Sequence, residues 1–201
     1  MAKRSQLLGA YLEHVSADHV NDEWTLPAGY LYTERAACFH AMDTKVKAEA
    51  AMLIRRPPAE VFEALVNPEI TTKFWFTKSS GKLETGRKVT WEWEMYGAST
   101  QVDVKEIERH RRILIEWSGY RGPETVEWTF TPFGDNATYV RITNSGFSGD
   151  EEEILSQALD SKGGFTFLLA GLKAYLEYNV ILNLVADAHP KGLDDAHIRL
   201  N

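Results

Sequence analysis

The residues in this chain best suited to holding a ligand are its large aromatics, which gather around Val89-Thr90-Trp91-Glu92-Trp93-Glu94-Met95. A period of two puts Val89, Trp91, Trp93 and Met95 on one face of a strand and Glu92 and Glu94 on the other. Trp117 and Trp128, in later strand-like segments, can share the apolar side, with Phe74 and Trp75 capping its opening. Such a wall suits a planar or lipidic molecule. Binding cavities are mostly apolar with a few orienting polar groups, a role open to Asn144 or Tyr175. The expected ligand-binding set is therefore Phe74, Trp75, Trp91, Trp93, Trp117, Trp128, Asn144 and Tyr175. The same rings could instead fill a solid core, as large aromatics commonly do.

Other chemistry finds less support. Glu92, Glu94, Glu116 and Glu127 alternate with the aromatics and are expected on the solvated face, paired across strands with Arg87, Lys88, Arg112 and Arg141. No catalytic residue is assigned. Only the reverse strand parity would bring those glutamates into a cavity, as a general acid or base. The histidines, at 14, 19, 40, 110, 189 and 197, have no metal-ligand spacing, so neither a metal nor another cofactor is expected. Gly163, Gly164 and Gly171 lie in a helical pattern without the strand-turn context of a nucleotide fingerprint. Ser145, Ser161 and Cys38 have no recognisable His and acid arrangement. The Asn136-Ala137-Thr138 sequon reads as a chance match on a hairpin turn.

Composition narrows the partners. With 201 residues the chain fits one domain of ordinary size. Its net charge is −7, and its basic residues cluster only at Arg55-Arg56 and around Arg109 to Arg112, so nucleic acid is not an expected partner. A single cysteine precludes an intrachain disulfide and suits a reducing compartment. The apolar stretch near the N-terminus soon meets Glu13, His14 and Asp18, so neither a signal peptide nor a membrane span is expected, and the location follows as cytoplasmic.

Residues 1–44 read as a poorly packed extension: Leu7, Leu8, Tyr11, Leu12 and Val15 can share a helical face, but no second period follows. Met42 is a candidate biological start, testable by the intact mass of the native protein. A strand begins at Val46, and Arg55-Arg56-Pro57-Pro58 ends it. The prolines open a first helix over Val61 to Val66. Asn67-Pro68 stops it and begins a second short helix to about Trp75. Five strands follow, Lys88 to Tyr96, Thr100 to Glu108, Arg111 to Trp117, Thr125 to Thr131 and Thr138 to Phe147, joined by short turns as an antiparallel meander. After Ser148-Gly149-Asp150 the period becomes helical, with Phe165, Leu168, Leu169, Leu172, Leu176, Asn179, Val180 and Asn183 near one face and a break at Gly163-Gly164. One amphipathic helix needs a curved apolar sheet to bury it, so the fold class is α+β, a helix-grip arrangement of a curved antiparallel sheet wrapped around a long C-terminal helix.

Specific runs resemble a known family. Ile54 to Leu65 (Ile-Arg-Arg-Pro-Pro-Ala-Glu-Val-Phe-Glu-Ala-Leu), Asn67-Pro68, Phe74-Trp75-Phe76, Leu83-Glu84-Thr85-Gly86, Val89 to Trp93, Thr143 to Phe147 and Leu172 to Glu177 are similar to the SRPBCC superfamily, in its branch of activator of heat-shock protein 90 ATPase homologues. The resemblance spans about residues 45–188, with 189–201 as a tail, and implies the START-like helix-grip fold shared with birch-pollen-allergen relatives. Asn144 departs from the branch, in which a histidine precedes the Ser-Gly or Thr-Gly turn. The superfamily includes lipid carriers, polyketide cyclases and aromatases, and co-chaperone domains. The leading expectation is a domain that holds a hydrophobic small molecule or lipid between sheet and helix. A cyclase-like enzyme and a chaperone-binding domain are the alternatives, and a homodimer stays open.

Overall fold

The computed structural model describes residues 46–119, 121–188 and 190. The chain divides into two units, Met1–Asp43 and Thr44–Asn201, and the described residues all belong to the second. The expectations for residues 1–44, Met42 and Cys38 included, and for the tail apart from Pro190 lie outside them.

Strand β1 (Lys47–Ile54) alternates as expected, with Ala48, Ala50 and Ile54 buried. Pro57 then adopts φ −65° and ψ 153°, an extended cap, and Pro58 occupies the first turn of α1 (Pro58–Val66), where its missing N–H costs nothing. Asn67 closes α1 and also caps α2 (Pro68–Thr71), its side chain accepting the Glu69 N–H at 3.2 Å. The Thr71 hydroxyl donates to the Ala64 and Asn67 carbonyls at 2.7 and 2.9 Å, locking the two helices together.

Next come β2 (Lys78–Ser79), β3 (Lys88–Trp93), β4 (Ala98–Glu108), β5 (Arg112–Ser118), β6 (Pro123–Pro132) and β7 (Thr138–Ser145). Together with β1 they form a seven-stranded antiparallel sheet ordered β1-β7-β6-β5-β4-β3-β2. Register slips between Val104 and Glu106, leaving Lys105 as an extra residue, a bulge that bends β4 and adds twist. Strand β3 stops at Trp93, short of Tyr96, because Glu94 to Gly97 turn, with Gly97 at φ 63°. Lys78-Ser79 pairs with Glu92 and Trp91 as a short edge strand.

Helix α3 (Glu151–Tyr178) opens with a reciprocal cap: Asp150 Oδ1 accepts the Glu153 N–H at 2.9 Å, and Glu153 Oε2 accepts the Asp150 N–H at 3.0 Å. It runs unbroken through Gly163-Gly164, correcting the expected break there. Two interior glycines cost a helix about 1 kcal/mol each. The adjoining Phe165, Leu168, Leu169 and Leu172, all buried against the sheet, outweigh that cost. Asn179 then ends the helix in the left-handed conformation at φ 54°, so Val180 and Asn183, expected to continue its face, lie beyond it. A short α4 (Leu184–Ala188), unforeseen in the sequence, follows.

The C-terminal half of α3 is clasped to the end of β1. Glu177 Oε1 accepts the Arg55 backbone N–H at 2.7 Å and Lys173 Nζ at 2.5 Å, while Lys173 also donates to the Leu53 carbonyl at 2.8 Å. Burial works to raise the Glu177 carboxyl, but the Arg55 N–H and the Lys173 and Arg55 charges together hold it below its ordinary value.

Candidate ligand cavity

The inward parity of β3 to β6 points their alternate side chains at α3. Where α3 carries glycine instead of bulk, at Gly163 and Gly164, the two surfaces do not meet. A cavity of about 750 Å³ opens there, between the N-terminal half of α3 and strands β3 to β6. A Cβ built on either glycine would meet nothing within 4 Å.

The aromatics divide into two layers. Trp75, Trp93, Trp117 and Phe165 line the cavity. Trp117 and Phe165 stack at 5.8 Å and 14°, and Trp75 meets Trp93 edge-on at 6.0 Å. Behind them Trp91, 1% exposed, stacks on Phe76 at 4.9 Å and 19°, and Trp128 meets Phe165 edge-on at 6.1 Å. Phe74 packs against Tyr175 at 6.1 Å. Of the expected ligand-binding set, then, Trp75, Trp93 and Trp117 face the cavity. Phe74, Trp91, Trp128, Asn144 and Tyr175 are not among its described lining residues.

One polar end of the cavity was not expected. Glu124, second residue of β6, shares the inward parity of Val126, Trp128 and Phe130 and is only 6% exposed. Its Oε2 accepts Asn144 Nδ2 at 2.9 Å and Trp117 Nε1 at 3.3 Å. Ser161 Oγ donates to Asn144 Oδ1 at 3.4 Å, linking the cluster to α3. Gly119 permits this packing, since a Cβ there would overlap the Glu124 carboxylate. The signal was present in the sequence: counting back by twos from Trp128 reaches Glu124, but starting the strand at Thr125 left it outside the strand. Asn144 thus serves to hold a carboxylate.

The other glutamates face outward as expected. Lys78 pairs with Glu94, Lys105 lies 3.5 Å from Glu116, and Arg112 joins Glu127 and Glu106. Arg87 and Lys88 pair with Glu84 and Asp103. At the cavity mouth the Tyr96 hydroxyl donates to the Val185 carbonyl, tying the β3–β4 turn to α4. Burial, with the nearby Asp187 carboxylate, pushes the Tyr96 phenol above its ordinary value. No residue of α1 or α2 is among the described lining residues. Among the described residues no acidic, histidine or cysteine cluster could hold a metal, and no helix is long and apolar enough to cross a membrane.

Comparison with solved structures places this architecture among known ones. A Staphylococcus saprophyticus protein shares 29% identity at a TM-score of 0.59, over 68% of this chain and 96% of its own. The Aha1 dimer of Colwellia psychrerythraea aligns at 17% identity and TM-score 0.57, over 66% of this chain and 97% of that one. DynU16, from the dynemicin biosynthetic locus, aligns at 23% and 0.60, over 67% of this chain, which spans 48% of DynU16. At those lower identities the likeness is one of fold. No curated protein matches the chain. The model of the family described as Activator of Hsp90 ATPase homolog 1-like protein matches residues 55–177. With the seven-stranded sheet gripping α3, that match over more than half its length makes the chain a member of this SRPBCC-type family.

Proposed function

We propose that the domain binds a hydrophobic small molecule in the cavity between sheet and C-terminal helix. The observation that carries this reading is the open volume of about 750 Å³ beside an aromatic wall already backed by a filled core. Trp91 and Trp128 complete the packing together with the buried Trp75 and Phe165, so the half-buried Trp93 and Trp117 present surface that a ligand can cover. Burying apolar ligand surface contributes roughly 25 cal/mol per Å² before ordering costs. Native mass spectrometry of the protein after exposure to a cell lipid and metabolite extract tests the reading. A retained small molecule, displaced by Trp117→Ala, is expected. Repeated failure to retain any molecule overturns it.

A second reading, a cyclase-like enzyme, draws support from one observation: Glu124 is an ionisable group lining the cavity. A carboxylate set against an aromatic wall can take a proton from a folded reactive chain, provided the chain is held within hydrogen-bond reach. Turnover that survives Glu124→Gln would remove this reading and leave the binding reading intact.

A further inference from the structure

We propose that α4 is a lid on the cavity, hinged at Asn183 and latched shut by the Tyr96 hydroxyl on the Val185 carbonyl. The inference rests on the reading of the cavity as a ligand site and adds how a ligand enters and leaves it.

The hinge is the first support. Asn179 and Asn183 both hold left-handed backbone, at φ 54° and 53°, a conformation that among the described non-glycine residues only His110 shares. Asparagine tolerates it better than most L-residues. The chain turns away from α3 at Asn179, and after Asn183 it enters α4, whose Val185 and Ala188 line the cavity. The near end of this connection is fixed, because the Asn179 and Val180 N–H groups donate to the Tyr175 and Ala174 carbonyls at 2.9 and 3.2 Å. Beyond that anchor Ile181, Leu182 and Asn183 are all exposed, so little packing restrains the chain on its way into α4.

A second support is how lightly α4 is held. None of its five residues is fully buried, and so short a helix does not keep its shape in water unaided. Contacts at the mouth seat it. Val185 packs on the edge of the core, and its carbonyl accepts the Tyr96 hydroxyl. Tyr96 belongs to the turn between β3 and β4 and lines the cavity as well, so this bond joins two separate elements of the mouth. One such bond shifts an equilibrium by about two- to tenfold, enough to favour the seated helix and weak enough to break often. Lids are drawn from segments of this low local stability.

Stopped-flow fluorescence of the full-length protein with N-phenyl-1-naphthylamine, a neutral aromatic probe that brightens on leaving water, tests the lid. Tyr96→Phe keeps the ring and removes the latch. It should raise the association and dissociation rate constants together, by about two- to tenfold, while affinity changes less than either rate. Asn183→Ala, outside the described lining, makes the left-handed turn costlier and should raise both rates in the same sense. Loss of a mere wall contact gives a different signature, faster dissociation alone with weaker binding. That result for Tyr96→Phe, or rates unchanged in both variants, overturns the lid and leaves hydrophobic binding standing. No binding of the probe by the wild type overturns the cavity reading and the inference with it.

Discussion

Asn144 Nδ2 and Glu124 Oε2 lie 2.9 Å apart on adjacent strands, with Asn144 fully buried. The Asn144 amide makes two connections, donating to the carboxylate of β6 and accepting from Ser161 on α3, so sheet, helix and cavity end meet at one side chain. Truncating it leaves Glu124 Oε2 short of a donor in a buried site. Asn144→Ala is expected to destabilise the fold by about 1–3 kcal/mol, measured by urea denaturation. Asn144→Asp, which sets a second carboxylate against the first, should cost more at neutral pH and recover as pH falls.

Gly163 and Gly164 offer the opposite effect. Each sits inside α3 with open space where a Cβ would be, so Gly164→Ala should raise stability by up to about 1 kcal/mol. For a chain of this size that is a rise in Tm of about 2–4 °C by calorimetry. Gly163→Leu places four carbons in the cavity. Its expected outcome is a folded protein with reduced retention of the ligand found by native mass spectrometry.

Trp128 carries a buried indole N–H with no partner among the described residues. Removing that orphan donor offsets part of the packing lost on truncation. Trp128→Phe should therefore cost less than about 1.5 kcal/mol in denaturant unfolding, whereas Trp91→Phe, at a fully packed ring stacked on Phe76, should cost more.

The Glu177 clasp predicts a pH dependence. Its carboxyl is held below the ordinary value in the folded state, so the stability it contributes is fully present above the unfolded-state pKa and is lost as pH falls through the lower, folded one. Stability measured from pH 7 downward should decline below about pH 5. Glu177→Gln should flatten part of that decline and cost about 1–3 kcal/mol at pH 7, because Lys173 loses its buried partner.

Much of this arrangement was legible in the chain. Strand parity followed from Val89-Thr90-Trp91 and from Val126-Glu127-Trp128, because one buried face forces alternation. Parity alone assigns a ring to the inner side of the sheet. It does not tell whether another ring or a void lies beyond, which depends on where α3 carries glycine. Trp91 and Trp93 are thus alike in sequence, yet one is packed beneath Phe76 and the other faces the cavity. Glu124 was missed through a strand boundary two residues late, and the unbroken α3 because buried contacts after Gly164 override glycine's local preference.

The placement of those glycines gives α3 two halves of unequal strength. From Glu151 to Gly164 the helix buries only Gln157 and Ala158, while from Phe165 to Leu172 it buries most of what it offers to the sheet and is then clasped through Glu177. Amide hydrogens of the first half should exchange with solvent well ahead of those in the second, at a free energy below that of global unfolding. The half that opens first is the one that covers the cavity, so a molecule can reach the tryptophan wall while the grip on the rest of the helix stays closed.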